Sequence, residues 1–107
     1  MELAERDCER IEAGTPPISE TRAAELADQA PDWAVGRDVI ERAVKSAGFD
    51  EAIRFANAVP RLAAEQDHHP RICVDYDTVE LSLTTHKIGG LSMNDFIMAA
   101  KINRLPA

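Results

Sequence analysis

Basic charge is scarce in this chain of 107 residues: 12 Lys and Arg stand against 19 Asp and Glu, a formal net charge of −7. Such a surface assembles no basic stripe able to displace counterions from a phosphate backbone, which disfavours nucleic-acid binding. Cysteine is almost absent. Cys8 and Cys73 stand far apart with no CxxC spacing, so a disulfide framework is excluded and both read as ordinary thiols in a reducing compartment, Cys73 as a small core residue. No apolar run approaches the roughly 20 residues of a membrane-spanning helix. Repeats and low-complexity tracts are missing, and the opening run MELAERDCERIEAG lacks the charged-then-apolar pattern of a secretory signal. The expectation is a cytoplasmic protein that meets a small ligand or a protein partner, with no membrane contact. Histidine, too, is withheld: none occurs before His68, and then His68, His69 and His86 fall in one short window.

What is present suffices for one domain, since a chain of this length buries roughly 60–70% of the surface its unfolded form exposes. Residues 1–14 read as a short polar helix ended by Gly14–Pro17, and residues 1–17 together as a tail or arm preceding a domain over 18–107. Ser19 is an N-cap for a helix with Glu20 in its first turn, a weak face of Ala23, Ala24, Leu26 and Ala27, and a stop at Pro31. Trp33 opens a short strand before the turn at Gly36. Its aromatic body suits a core anchor, and a role in a site stays open. Over 38–47, Val39, Ile40, Ala43, Val44 and Ala47 recur at helical spacing, so period favours a helix there. Ala52, Ile53, Ala56, Val59 and Ala63 make a clearer helical stripe, in which Pro60 removes the bond to the Ala56 carbonyl and predicts a kink or a break. The period then changes. Val79, Leu81, Leu83 and Thr85 alternate with polar residues, the mark of a half-buried strand. RICVDY precedes it with a turn at Asp77, KIGG is a loop, and Ser92 caps a last helix that turns Phe96, Ile97 and Ala100 inward. Helix, strands, helix, strand pair and helix add up to an α+β domain with helices on one face of an antiparallel sheet.

Chain reversal at Asp77 brings the start of one strand beside the end of the next, so His68 and His69 meet His86 despite the sequence between them. Clustered imidazoles suit proton transfer near neutral pH. They also suit plain hydrogen bonding at element ends. Zinc binding is a third reading, made awkward because adjacent residues on an extended chain point to opposite faces. Asp95, three positions after Ser92, fits a capping box. One of its oxygens could serve the cap while the other orients a histidine.

The run Asp67-His68-His69-Pro70, then Tyr76, then Thr85-His86, then Gly90-Leu91-Ser92 and Asp95, resembles the pterin-4a-carbinolamine dehydratase family. Trp33, Gly36 and Arg37 fall in step with it, and the likeness spans about residues 18–107. It implies a four-stranded antiparallel sheet with three helices packed on one face, strand rather than helix over 38–46, and assembly as a homodimer or homotetramer. The implied reaction is dehydration of a 4a-hydroxytetrahydropterin to the quinonoid dihydropterin, the recycling of tetrahydrobiopterin, with no cofactor and no metal. By this resemblance His68 and His86 are the main proton donors and acceptors, His69 contacts the pterin, and Asp95 orients an imidazole and makes it more basic. Trp33, Asp67, Pro70, Tyr76 and Thr85 would bind the substrate. Ala64 stands where many members carry Glu, with Glu65 rotated about 100° away on the helix; Lys87 replaces a frequent acidic residue; Pro60 is unusual. The competing implication is a scaffold that binds a protein partner, as a transcriptional coactivator or assembly factor. A third is a related step on another pterin, such as one in molybdopterin metabolism.

Overall fold

Helix α1 (Glu20–Ala27) starts where Ser19 Oγ accepts the Arg22 N–H at 3.2 Å, satisfying one of the free donors of the first turn. The structure is a computed structural model that describes residues 2–106. After α1 come strands β1 (Ala34–Val35) and β2 (Ile40–Lys45), helix α2 (Phe49–Gln66), the hairpin β3 (Arg71–Asp75) and β4 (Thr78–Leu83), and helix α3 (Met93–Asn103). The four strands form one antiparallel sheet in the order β1-β2-β4-β3. No helix among the described residues is long and apolar enough to cross a membrane.

Cross-strand register explains why 40–45 is strand, as the resemblance implied and the helical spacing did not. Ile40 lies opposite Leu83 and Val44 opposite Val79, and all four are buried under the helices. Glu41, Ala43 and Lys45 turn to the open face of the sheet. Pairing with β4 decides the conformation, because apolar residues at i and i+4, as Ile40 and Val44 are, fit either period. Cys73 sits opposite Glu80 on that open face and is half-buried, which corrects its expected place in the core.

Helix α2 runs unbroken through Pro60, so the expected break does not occur. Pro60 is exposed, and Ala52, Phe55, Ala56, Val59 and Ala63 hold the other face to the sheet, so packing keeps the helix continuous despite the one missing bond. Helix α3 carries apolar residues all round and is buried from Asn94 through Ala100. Part of its cover is the N-terminal segment. In place of the expected polar helix over 1–14, the chain forms a 3₁₀ turn at Leu3–Glu5 and then an extended strap. Leu3 is buried and its N–H reaches Gln29 Oε1 at 2.7 Å, while Lys101 Nζ donates to the Ala4 carbonyl at 3.0 Å. The arm is thus packed along α3 rather than loose.

Candidate functional site

The hairpin turns at Tyr76 and Asp77, and Arg71 pairs with Ser82 at its other end. His68 and His69, which lead into β3, therefore stand beside Thr85 and His86, which leave β4. Two local devices fix this meeting. Asp67 adopts the left-handed conformation (φ 50°) as the C-cap of α2, its N–H bonding to the Ala63 carbonyl, and so turns the chain sharply into the histidine pair. On the other side, Thr85 and Gly90 form an isolated antiparallel bridge around a 3₁₀ turn at His86–Ile88. A Cβ on Gly90 would come within 2.9 Å of Pro17 Cβ, so this loop lies against the end of the N-terminal arm at a distance only glycine allows.

Beneath the histidines lies Asp95, fully buried. Its two oxygens have separate duties. Oδ2 accepts the Ser92 N–H at 2.9 Å and the Thr85 hydroxyl at 2.8 Å, which closes the start of α3. Oδ1 lies 2.6 Å from His68 Nε2. A carboxylate only accepts, so His68 Nε2 carries the hydrogen and Nδ1 is left as the nitrogen that can take and return a proton. The Thr85 proton is committed to Asp95, so Ser92 Oγ, 2.7 Å away, donates to Thr85. Three donors compensate the burial of this carboxylate.

His68, His69 and His86 share one open hollow of about 420 Å³, with Asp67 and Thr85 also in its wall. His69 and His86 are exposed, whereas the His68 side chain keeps 12% of its surface in contact with solvent. Trp33, Pro70 and Tyr76 do not line it. Trp33 is buried at the sheet edge and donates through Nε1 to Asn103 Oδ1 at 2.8 Å. Tyr76 is 68% exposed at the far end of the hairpin, separated from the histidines by the five residues of β3, roughly 17 Å of strand. Among the described residues no group of three or more His, Cys, Asp or Glu is arranged to hold a metal ion.

Sequence reasoning missed part of the wall. Gln66 and Asn94, each adjacent to a motif residue, line the hollow, and so does the arm segment from Cys8 to Ile11. Burial pushes the Cys8 thiol up to about 11; Lys101 opposes this, and Asp95 and Asp7 add to it. The thiol is therefore neutral at physiological pH. The all-round apolar pattern of α3 was the one signal in the sequence that something must cover that helix.

Residues 16–105 match the family described as pterin 4 alpha carbinolamine dehydratase. A protein of Rubrobacter xylanophilus named "Putative pterin-4-alpha-carbinolamine dehydratase" is 42% identical over 97% of this chain and 98% of its own length. One of Halorhodospira halophila with the same name is 38% identical over the full length of both. Among solved structures, a transcriptional coactivator/pterin dehydratase from Brucella melitensis superposes with a TM-score of 0.74 at 30% identity, covering 81% of this chain and 95% of that one.

Proposed function

Because the chain belongs to the pterin 4 alpha carbinolamine dehydratase family, we propose that the histidine hollow dehydrates a 4a-hydroxytetrahydropterin. The C4a–O bond breaks as the hydroxyl gains a proton and leaves as water, and the neighbouring ring nitrogen loses its proton to give the quinonoid dihydropterin. No electrons are exchanged with any other species. Both proton movements are general acid–base steps, each worth about 10²–10⁴ in rate when the group is well placed. His68 and His86 share the donor and acceptor roles, His69 contacts the ring, and Asp95 fixes the tautomer of His68. The observation that carries this reading is the 2.6 Å contact between buried Asp95 and His68 at the edge of a hollow that also holds His86. A paired, oriented imidazole facing open space is what proton transfer to a small molecule needs.

The test follows the absorbance of a 4a-hydroxytetrahydropterin generated in a stopped-flow mixer. Wild-type protein should accelerate its decay, and His86→Ala should lose most of that gain with the fold intact. Decay no faster than in buffer would reject the enzyme. It would favour the second reading, a protein-binding scaffold, which the coactivator description of the Brucella neighbour motivates. A cytoplasmic homodimer or homotetramer serving tetrahydrobiopterin recycling completes the proposal, and sedimentation of the purified protein checks the assembly.

A further inference from the structure

The hollow beside the histidines presents polar and apolar surface in about equal measure. The three histidines, Asp67 and Lys87 supply charge and hydrogen-bonding groups, while aliphatic and thiol surface comes from the N-terminal arm through Ile11 and Cys8, both half-buried. The arm is tied down at two points beside the chemistry. Gln66 Oε1 accepts the Cys8 N–H at 2.7 Å. Asn94, only 5% exposed, grips Glu9 by both polar groups: its Oδ1 accepts the Glu9 N–H at 3.0 Å and its Nδ2 donates to the Glu9 carbonyl at 2.6 Å. Gln66 directly precedes Asp67-His68-His69, and Asn94 directly precedes Asp95. The strap is therefore fastened to the same two stretches of backbone that carry the acid–base groups, which keeps wall and histidines in fixed relation. A bicyclic pterin, even with its second ring reduced, takes hydrogen bonds at its edge and needs apolar surface against its face.

We propose that Cys8–Ile11 is a recognition wall of this site, with Ile11 and Cys8 packing against the face of the pterin ring and Gln66 and Asn94 as the positioning residues that hold the wall. The inference rests on the dehydratase reading above. The segment lies outside the family match, which begins at residue 16. The neutral state of the Cys8 thiol suits apolar contact with a ring.

The experiment uses full-length protein and compares KM and kcat for the 4a-hydroxytetrahydropterin with the equilibrium binding of a tetrahydropterin that cannot dehydrate. Ile11→Ser should raise both KM and the dissociation constant about tenfold, equivalent to about 1.4 kcal/mol, while kcat stays within about twofold of wild type. Ile11→Val, which keeps most of the apolar contact, should restore most of the affinity. Asn94→Ala should raise KM in the same way and speed hydrogen exchange of the amides over 7–12, a pairing that a merely structural residue would not produce. Should Asn94→Ala fail to fold, the Ile11 pair decides the matter, since that residue is half-exposed. Wild-type KM in Ile11→Ser, or a released arm with unchanged KM in Asn94→Ala, overturns the wall and leaves the dehydratase standing. Wild-type protein that neither binds nor turns over the pterin overturns both.

Discussion

Asp95→Asn separates the two duties of the buried carboxylate. In the native site three donors converge on it: Ser92 N–H and the Thr85 hydroxyl on one oxygen, His68 Nε2–H on the other. An amide keeps one oxygen and gains an NH2 group, so one side must change from acceptor to donor. The Ser92 backbone N–H cannot reverse its polarity, whereas the His68 ring can, by moving its hydrogen to Nδ1. The amide oxygen therefore stays with Ser92 and Thr85, and its nitrogen faces His68. The helix start survives. What is lost is the charge assistance of all three bonds, about 1 kcal/mol each and partly offset because no buried charge remains to be desolvated, out of the roughly 5–15 kcal/mol typical of a domain. Chemistry suffers far more, because Nδ1 now presents a hydrogen where the reaction needs a lone pair. Loss of one general acid–base group costs about 10²–10⁴ in kcat, and a wrong tautomer beside a triad aspartate reaches the upper end of that range. Stopped-flow turnover gives kcat, a denaturant melt gives the stability change, and nitrogen-15 shifts of the His68 ring report the tautomer. A folded Asp95→Asn with kcat within about threefold of wild type would falsify the tautomer argument.

Cys8 gives a second handle. Its folded-state value near 11 lies above the usual 9.0, so the unfolded chain releases the thiol proton first as pH rises. The stabilising contribution is whole below pH 9 and is lost as pH climbs towards 11. Cys8→Ser should flatten that part of the alkaline unfolding profile; an unchanged profile would show that the thiol is not shielded in solution. Pro60→Ala returns an N–H to the Ala56 carbonyl at an exposed position of α2 and should raise stability by about 1–2 kcal/mol, read from the urea midpoint, with an unaltered or lower midpoint counting against the geometry. Tyr76 holds φ 52° in the hairpin turn, a conformation that Asn tolerates better. Tyr76→Asn should leave the melting temperature level or higher and turnover unchanged, and a marked fall in kcat would mean that the far end of the hairpin reaches a site.

Local chemistry was readable wherever the deciding atoms are neighbours in the chain. Ser19 before Glu20, Ser92 before Asp95, the alternation from Val79 to Leu83 and the turn at Asp77 each carry their own signal, because caps, pleats and two-residue turns involve residues a few positions apart. The shared duty of Asp95 could be stated as an option from its spacing alone. Over residues 40–45 period pointed to a helix and was wrong, since their apolar positions also suit a strand and only pairing with β4 chooses between them. Pro60 misled as to a break because the packed stripe on the other side of α2 outweighs one lost hydrogen bond at the surface.

The sequence by itself settled the element types at the caps and turns, the α+β class, the acidic surface, and the reversal that sets His68 and His69 beside His86. Those properties follow from short-range geometry and from composition. Tertiary structure alone decided that Asp95 bonds to His68, that Trp33 and Tyr76 stand away from the hollow, and that the N-terminal arm closes one of its sides. Each of these depends on where separate elements cross in space, and a contact between Glu9 and Asn94 leaves no periodicity for a sequence to display.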